Sequence, residues 1–272
     1  MHETNLLGDY LRARRERVRP ESVGLPAHGT RRVAGLRREE VALLAGISAD
    51  YYLRLEQGRD RNPSVQVLEA LARVLLLDPA ATDHLLTLAA PRAARRRPRR
   101  ETVPASVRQL LDALGLPAFV EGRYFDVLAS NSLARALSPS FREGENRLRS
   151  LFLDPAERAM YPAWDEASAG IVAAFRESVG RDADDPRFVQ LVGELSLGSE
   201  RFRTLWARHD VKRREGSALV LRHPQVGELA LHREKLAVGG TDGQLLAIYH
   251  ARAGTDSADK LALLGSLAAP GR

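Results

Sequence analysis

Apolar side chains recur at three- and four-residue steps through most of residues 1–90. Leu7, Leu11 and Val18 share one side of a first helix that ends near Pro20. A Gly- and Pro-rich stretch without clear period runs from Pro20 to Gly35. Four short amphipathic segments follow, at Arg37–Ala45, Ala49–Gln57, Val65–Leu76 and Thr82–Ala89. Asn62-Pro63-Ser64 interrupts them and supplies Ser64 as an N-cap, because a serine hydroxyl accepts from a free amide of the first helical turn. The pattern predicts an all-α module of five short helices, with no internal repeat.

Beyond Arg100 the period changes. Val107, Leu110, Leu111 and Leu114 mark a helix. Ala118–Val120 and Tyr124–Ala129 flank Glu121-Gly122-Arg123 as a hairpin. Trp164, Ala167, Ile171, Phe175 and Val179 keep a helical step, as do Phe188–Leu195 and Phe202–His209. The final third alternates with period two: Leu219 and Leu221 against Val220, and Leu229 and Leu231 against Glu228 and His232. Gln244–Ala251 is a third strand and Asp256–Leu267 a closing helix. Together these predict an α+β unit, an antiparallel sheet with helices on one face.

Charge locates the joint between the two units. Residues 1–100 carry 19 Arg against 12 acids, a net of +7, and residues 101–272 a net of −1. Six of those Arg lie in Pro91–Arg100, so residues 1–90 come to only +1. The Arg run reads either as a solvated hinge or as a phosphate contact. The expected organisation is residues 1–90 as one domain, 91–103 as a Pro/Arg-rich linker and 104–272 as a second domain. There is no Cys, hence no disulfide framework and no thiolate chemistry. Apolar runs such as Val74-Leu75-Leu76-Leu77 fall far short of the roughly 20 residues a membrane span needs, and Met-His-Glu-Thr-Asn does not open like a signal peptide. A cytoplasmic protein without membrane attachment is expected.

Chemistry concentrates between Arg38 and Gln57. A first helix crossing a second at a steep angle needs a small residue at the contact, and Ala42 supplies it. The turn needs a residue tolerant of positive φ, and Gly46 supplies that. Val41, Ala45, Ile47, Tyr52 and Leu55 fall on the side such a pair buries, and Ser48 is a natural N-cap. Ala49, Asp50, Tyr51 and Arg54 then project outward from a helix short enough to fit a major groove about 12 Å wide. An ordinary helical hairpin would tolerate one small residue and one glycine. The joint occurrence of small residue, glycine, cap and five apolar positions favours a DNA-binding helix-turn-helix.

At these residues the chain resembles the Xre family of helix-turn-helix regulators. Gly35-Leu36-Arg37-Arg38-Glu39-Glu40-Val41-Ala42 and Tyr51-Tyr52-Leu53-Arg54-Leu55-Glu56-Gln57-Gly58-Arg59 look like its MmyB-like subgroup. The likeness continues at Asn62-Pro63-Ser64 and Val67–Ala72. In the second half it includes Phe125–Ala129, Leu151–Asp154, Gly193–Ser196, Leu205–Val211 and His223–Leu229. The resemblance implies a lambda-repressor-like N-terminal domain and a C-terminal PAS-like domain that binds a ligand and dimerises. The implied partners are double-stranded DNA, a small hydrophobic, fatty-acid-like ligand and a second copy of the chain. One departure is Ser130-Asn131-Ser132, where the subgroup usually carries Trp-Asn-Pro; it falls on the implied pocket wall.

Carried over by position, base reading falls to Ala49, Asp50 and Arg54, with Ser48 and Tyr51 beside them. Arg54 is suited to guanine and Asp50 to a cytosine amino group. Arg37, Arg38, Gln57, Arg59 and Arg61 are candidates for phosphate contact, which positions a protein without specifying sequence. Tyr52 belongs to the core. For the ligand, Trp164, Phe175, Phe188, Trp206 and Tyr249 are the candidate pocket wall; the same rings would equally serve a filled domain used only for dimerisation or a protein partner. No cofactor, metal or enzymatic activity is expected. The seven His are scattered, and a His223–His232 approach across strands is the nearest thing to a metal pair. No Gly-rich phosphate loop or Gly-x-Ser-x-Gly elbow is present. Asp182, Asp184 and Asp185 before Pro186 read as a helix start.

Overall fold

Caps and breaks in the chain decide where each helix begins. The structure, a computed structural model, describes residues 5–26, 34–60, 62–90, 101–180 and 185–268. In the N-terminal unit, α1 (Leu6–Arg17) starts where Asn5 Oδ1 accepts from the Gly8 amide at 3.1 Å. A short 3-10 turn at Pro20–Val23 opens the stretch read as loop. Then come α2 (Arg38–Ala45), α3 (Ala49–Glu56), α4 (Val65–Val74) and α5 (Pro79–Ala89). Ser48 and Ser64 cap α3 and α4 as expected. The last helix begins three residues before the apolar pattern suggested. Asp78 caps it and Pro79 occupies its first turn, where the missing N–H costs nothing.

These five helices close around a core that includes Tyr10, Leu11, Leu36, Val41, Tyr52, Leu55, Leu71 and Leu85. One buried carboxylate ties three of them together. Glu56 of α3 is fully buried and accepts from Arg15 of α1 and Arg38 of α2, both at 2.6 Å. Arg15 also donates to the Leu36 carbonyl at 2.9 Å. The Glu56 carbonyl accepts from Asn5 Nδ2 at 2.7 Å, which binds the start of α1 to the end of α3.

The second unit opens with α6 (Ala105–Ala113), β1 (Ala118–Glu121) and β2 (Val127–Ser130), the expected hairpin. Helices α7 (Ser132–Leu137), α8 (Arg147–Leu153) and α9 (Pro155–Ala159) follow, too short to announce themselves by periodicity. Then come α10 (Trp164–Val179), α11 (Pro186–Gly198), α12 (Glu200–Ala207), β3 (Ser217–His223), β4 (Gly227–Ala237), β5 (Leu245–His250) and α13 (Asp256–Ala268). The strands form one antiparallel sheet in the order β2-β1-β5-β4-β3. Its inner face, including Phe119, Leu221, Leu229, Leu231 and Tyr249, packs on Ala134, Leu137, Leu261 and Leu264 of α7 and α13.

Helices do not keep to one face. Leu111 of α6 packs with Ala118, Val120, Ala129 and Leu246 on the other side of the sheet. Both faces of β1 are therefore buried, which explains the apolar run Ala118-Phe119-Val120 before Glu121. Asn131 fixes the strand-to-helix corner. Its Oδ1 accepts from the amides of Ala118 (3.1 Å) and Ala134 (2.9 Å), and its Nδ2 donates to the Leu116 carbonyl at 2.8 Å. Residues 101–103 are already packed into this unit: Glu101 accepts from the Arg123 amide and the Thr102 carbonyl from Gln244.

The units also meet away from the Arg-rich segment, which lies outside the described residues. Val211 joins the core of the first unit. Asp210 accepts from Arg14 at 3.2 Å and from Arg17 of α1, and Arg213 pairs with Asp83 of α5. Among the described residues no helix is long and apolar enough to cross a membrane.

The buried ion triad sets two expected outcomes. Replacing Glu56 with Gln leaves Arg15 buried beside a neutral group and should cost about 3–5 kcal/mol in denaturant unfolding. Burial raises the Glu56 pKa, but the bonds from Arg15 and Arg38 outweigh it and hold the group below its ordinary 4.5. A depressed carboxylate stabilises the fold above its ordinary pKa, and that share is lost as pH falls through the folded value. Acid melting below about pH 4.5 should accordingly be less steep for Glu56→Gln than for the parent.

Candidate DNA-binding surface and ligand-binding domain

Gly46 makes the turn of the helix pair. Its φ of 69° lies in the left-handed region, and its amide returns to the carbonyls of Ala42 and Leu43. Ile47 N–H then bonds the Ala42 carbonyl at 3.0 Å, so the amides of both Gly46 and Ile47 are held as the chain leaves α2. Ala42 is buried at the α2–α3 crossing, and Val41, Tyr52 and Leu55 are fully buried beneath it. Ala45 and Ile47 pack on the same core while half exposed.

The opposite side of α3 stands clear. Ala49, Asp50 and Gln57 are exposed, and Tyr51 and Arg54 are half-buried at its flank. Eight residues make α3 about 12 Å long. Ser48 Oγ accepts from the Tyr51 amide at 3.1 Å, so this hydroxyl serves the helix cap. Arg54 is engaged twice within its own helix. It pairs with Asp50 one turn earlier, and its guanidinium lies 5.7 Å from the Tyr51 ring centre. These three side chains form one small polar block on the exposed face.

The other expected contacts divide by how they are held. Arg37, the N-cap of α2, is exposed, and its amide donates to Glu40 at 2.7 Å. Arg38 gives its Nε to Glu56 while its side chain stays 45% exposed, so it bridges core and surface. Arg59 is exposed, and its amide bonds the Arg54 carbonyl at 2.9 Å. Arg61 lies outside the described residues. Glu56 escaped the sequence reading, although a signal existed: it follows Tyr52 by four residues, on the buried side. An acid in the inward phase of an amphipathic helix announces a buried partner.

The five aromatic candidates do not share one wall. Phe175, Phe188 and Trp206 pack ring on ring with centroids 5.7–5.8 Å apart. Trp206 stacks on Phe202, which reaches Trp164 through Phe152. Tyr249 belongs instead to the inner face of the sheet, against Phe119 and Phe141. The separation follows from topology: α10–α12 form their own helical layer, whereas Tyr249 faces α7 and α13. His223 and His232 are also apart, one buried and one exposed on opposite faces of the sheet. The ring stacked on His232 is that of His250, at 5.3 Å.

Between the two aromatic groups lies a cluster of buried charge that periodicity gave no means of seeing. Glu121 of β1 is fully buried. It accepts from Arg147 (2.7 Å), Arg214 (2.7 Å) and Lys235 (2.9 Å), whose side chains are 4–7% exposed. Burial alone would raise the Glu121 pKa; Lys235, Arg214 and Arg147 together hold it well below the ordinary value. Burial drives Lys235 the other way, down to about 7. Arg147 also lies 5.3 Å from the ring centres of Phe119 and Phe141, which seats the guanidinium on the aromatic floor of the sheet.

Residues 6–85 match a family model described as a helix-turn-helix domain. Residues 103–264 match the model of the MmyB-like transcription regulator ligand binding domain. No curated protein matches the chain. A helix-turn-helix segment in the first unit and a ligand-binding domain over more than half of the chain make this a transcriptional regulator, and the protein belongs to the MmyB-like family.

Proposed function

We propose that α3 lies in the major groove and reads bases through Asp50 and Arg54, with Ala49 against the groove floor and Ser48 and Tyr51 at its edge. Arg37, Arg38, Gln57, Arg59 and Arg61 hold the flanking phosphates. The observation that carries this reading is the contrast between the two sides of one short helix. Tyr52, Leu55 and Glu56 are locked inside, while Ala49, Asp50 and Gln57 face solvent. The Asp50–Arg54 pair then has a role of its own: it aims the guanidinium before DNA arrives and lowers the entropy lost on contact.

Residues 1–90 are the DNA-binding part, 91–103 the connection, with its last three residues packed on the sensor, and 104–272 the sensing and dimerising part. A homodimer presents two copies of α3 to half-sites about 34 Å or a multiple apart. The ligand of the C-terminal domain is small and hydrophobic, fatty-acid-like in its apolar body. It shifts the regulator only by preferring one dimer geometry, since equal affinity for both would shift nothing. The close ring packing of Phe175, Phe188 and Trp206 favours a second reading at those three positions, in which they fill the domain rather than meet the ligand. Mass spectrometry of the purified protein, native and then denatured, separates the two: a co-purified apolar molecule supports sensing.

Selection of bound duplexes from a random pool tests DNA reading. A preferred site should emerge, and Arg54→Ala should lose roughly 1–3 kcal/mol on it and little on unrelated DNA. Equal losses on both would reduce Arg54 to a backbone contact. Arg59→Gln should weaken all duplexes alike and lower the slope of log affinity against log salt by about one. An unchanged slope removes Arg59 from the phosphate set.

A further inference from the structure

The surface on which the two units meet contains a cation with no carboxylate of its own. Arg176 of α10 is 8% exposed, and its Nε has no hydrogen-bond partner. Its Nη2 donates to the Trp206 carbonyl, and its Nη1 lies 3.3 Å from His209 Nδ1. The guanidinium carbon rests 3.8 Å from the centre of the Trp206 ring. No acid pairs with it among the described residues; the acid that acts on it most strongly, Asp210, is already held by Arg14 and Arg17. A buried guanidinium left in this state is costly, and the cost falls when an anion reaches it.

Arg176 opens on a crevice with walls from both units. Tyr10 of α1 and His84 of α5 line one side; Phe188, Trp206 and His209 line the other. Apart from Arg176 itself these walls carry no charge. Burial, and then Arg176, depress both His84 and His209 to about 4, so both rings are neutral near pH 7. As drawn together here, the crevice encloses about 30 Å³, room for one or two waters. An organic guest must therefore part α1 and α5 slightly from α10 and α12.

We propose that this crevice binds a small monocarboxylate on an apolar body, with its carboxylate on Arg176 and its body between the Tyr10, Phe188 and Trp206 rings. One buried cation matches one negative charge, and a planar carboxylate fits the edge of a guanidinium whose Nε is without a partner. Ringed, uncharged walls suit an apolar body better than a fully hydrated inorganic anion. The proposal rests on the ligand-sensing reading of the C-terminal domain, since Phe188 and Trp206 belong to its candidate wall, and adds α1 and α5 to the site. Because its two walls belong to different units, occupancy changes how the helix-turn-helix is seated on the sensor.

Calorimetric titration of the full chain with sodium benzoate tests the proposal, with benzamide as the uncharged isostere and inorganic phosphate as the charged control. Saturable benzoate binding is expected, at least about tenfold weaker for benzamide and for Arg176→Gln, since each removes one charge-assisted contact. Leu88→Trp, which fills the crevice from α5 and leaves Arg176 intact, should abolish binding as well. It keeps the test decisive if Arg176→Gln folds poorly. Four results would overturn the proposal: no saturation up to about 10 mM, benzamide binding as tightly as benzoate, phosphate binding as tightly as benzoate, or Leu88→Trp binding at parental affinity. No DNA enters the titration, so its failure leaves base reading by α3 untouched.

Discussion

A carboxylate without solvent around it cannot be left alone, and Glu56 organises the first unit by that rule. Once buried, it must take cations from its neighbours, and the two available come from different helices. Arg15 therefore fixes α1 against α3, and Arg38 fixes the entrance of α2 against the exit of α3. Apolar packing alone would hold these helices together while permitting small slides. Directional bonds of 2.6 Å from two sides do not, and a base-reading helix needs its axis held to within a fraction of a base step.

The second unit repeats the device with more charge. Glu121 gathers Arg147 from α8, Arg214 from the segment before β3 and Lys235 from β4, so one strand residue fastens elements distant in sequence. Three basic side chains meet one fully buried acid there, a local arrangement that the apolar sequence pattern conceals. The Arg176 region likewise carries a buried cation, and it sits where α12 ends and the chain turns toward the first unit. Among the described residues, a buried cation thus lacks a matching acid both in the ligand-binding domain and at its border with the helix-turn-helix.

Much of this was legible from residue order, and the exceptions are instructive. The helix-turn-helix could be read because steep helix crossing makes strict local demands, met by Ala42, Gly46 and Ser48 within seven residues. The terminal strands could be read because one face of β3 and β4 is solvent-exposed, which preserves alternation. Helices α7, α8 and α9 span five to seven residues each, less than two turns, so no period develops. The aromatic candidates fall in two separate layers, with Phe175, Phe188 and Tyr249 buried and Trp164 and Trp206 half-buried, because helical spacing says which side of a helix is covered and not which layer covers it. Glu121 was hidden for a related reason: its ion-pair partners lie 26 to 114 residues away and leave no local trace. Glu56, with partners 18 and 41 residues away, showed only its inward phase on α3.

Val211 is the small feature with the widest reach. It comes from the turn after α12, yet its side chain is counted among the core of the helices that precede the Arg-rich segment. The helix-turn-helix is thus not a detachable cassette: excised at residue 90, it would carry a bare apolar dent where that valine belongs. Any chimera that grafts a foreign sensor onto these five helices inherits the same gap, unless the 209–213 turn travels with them.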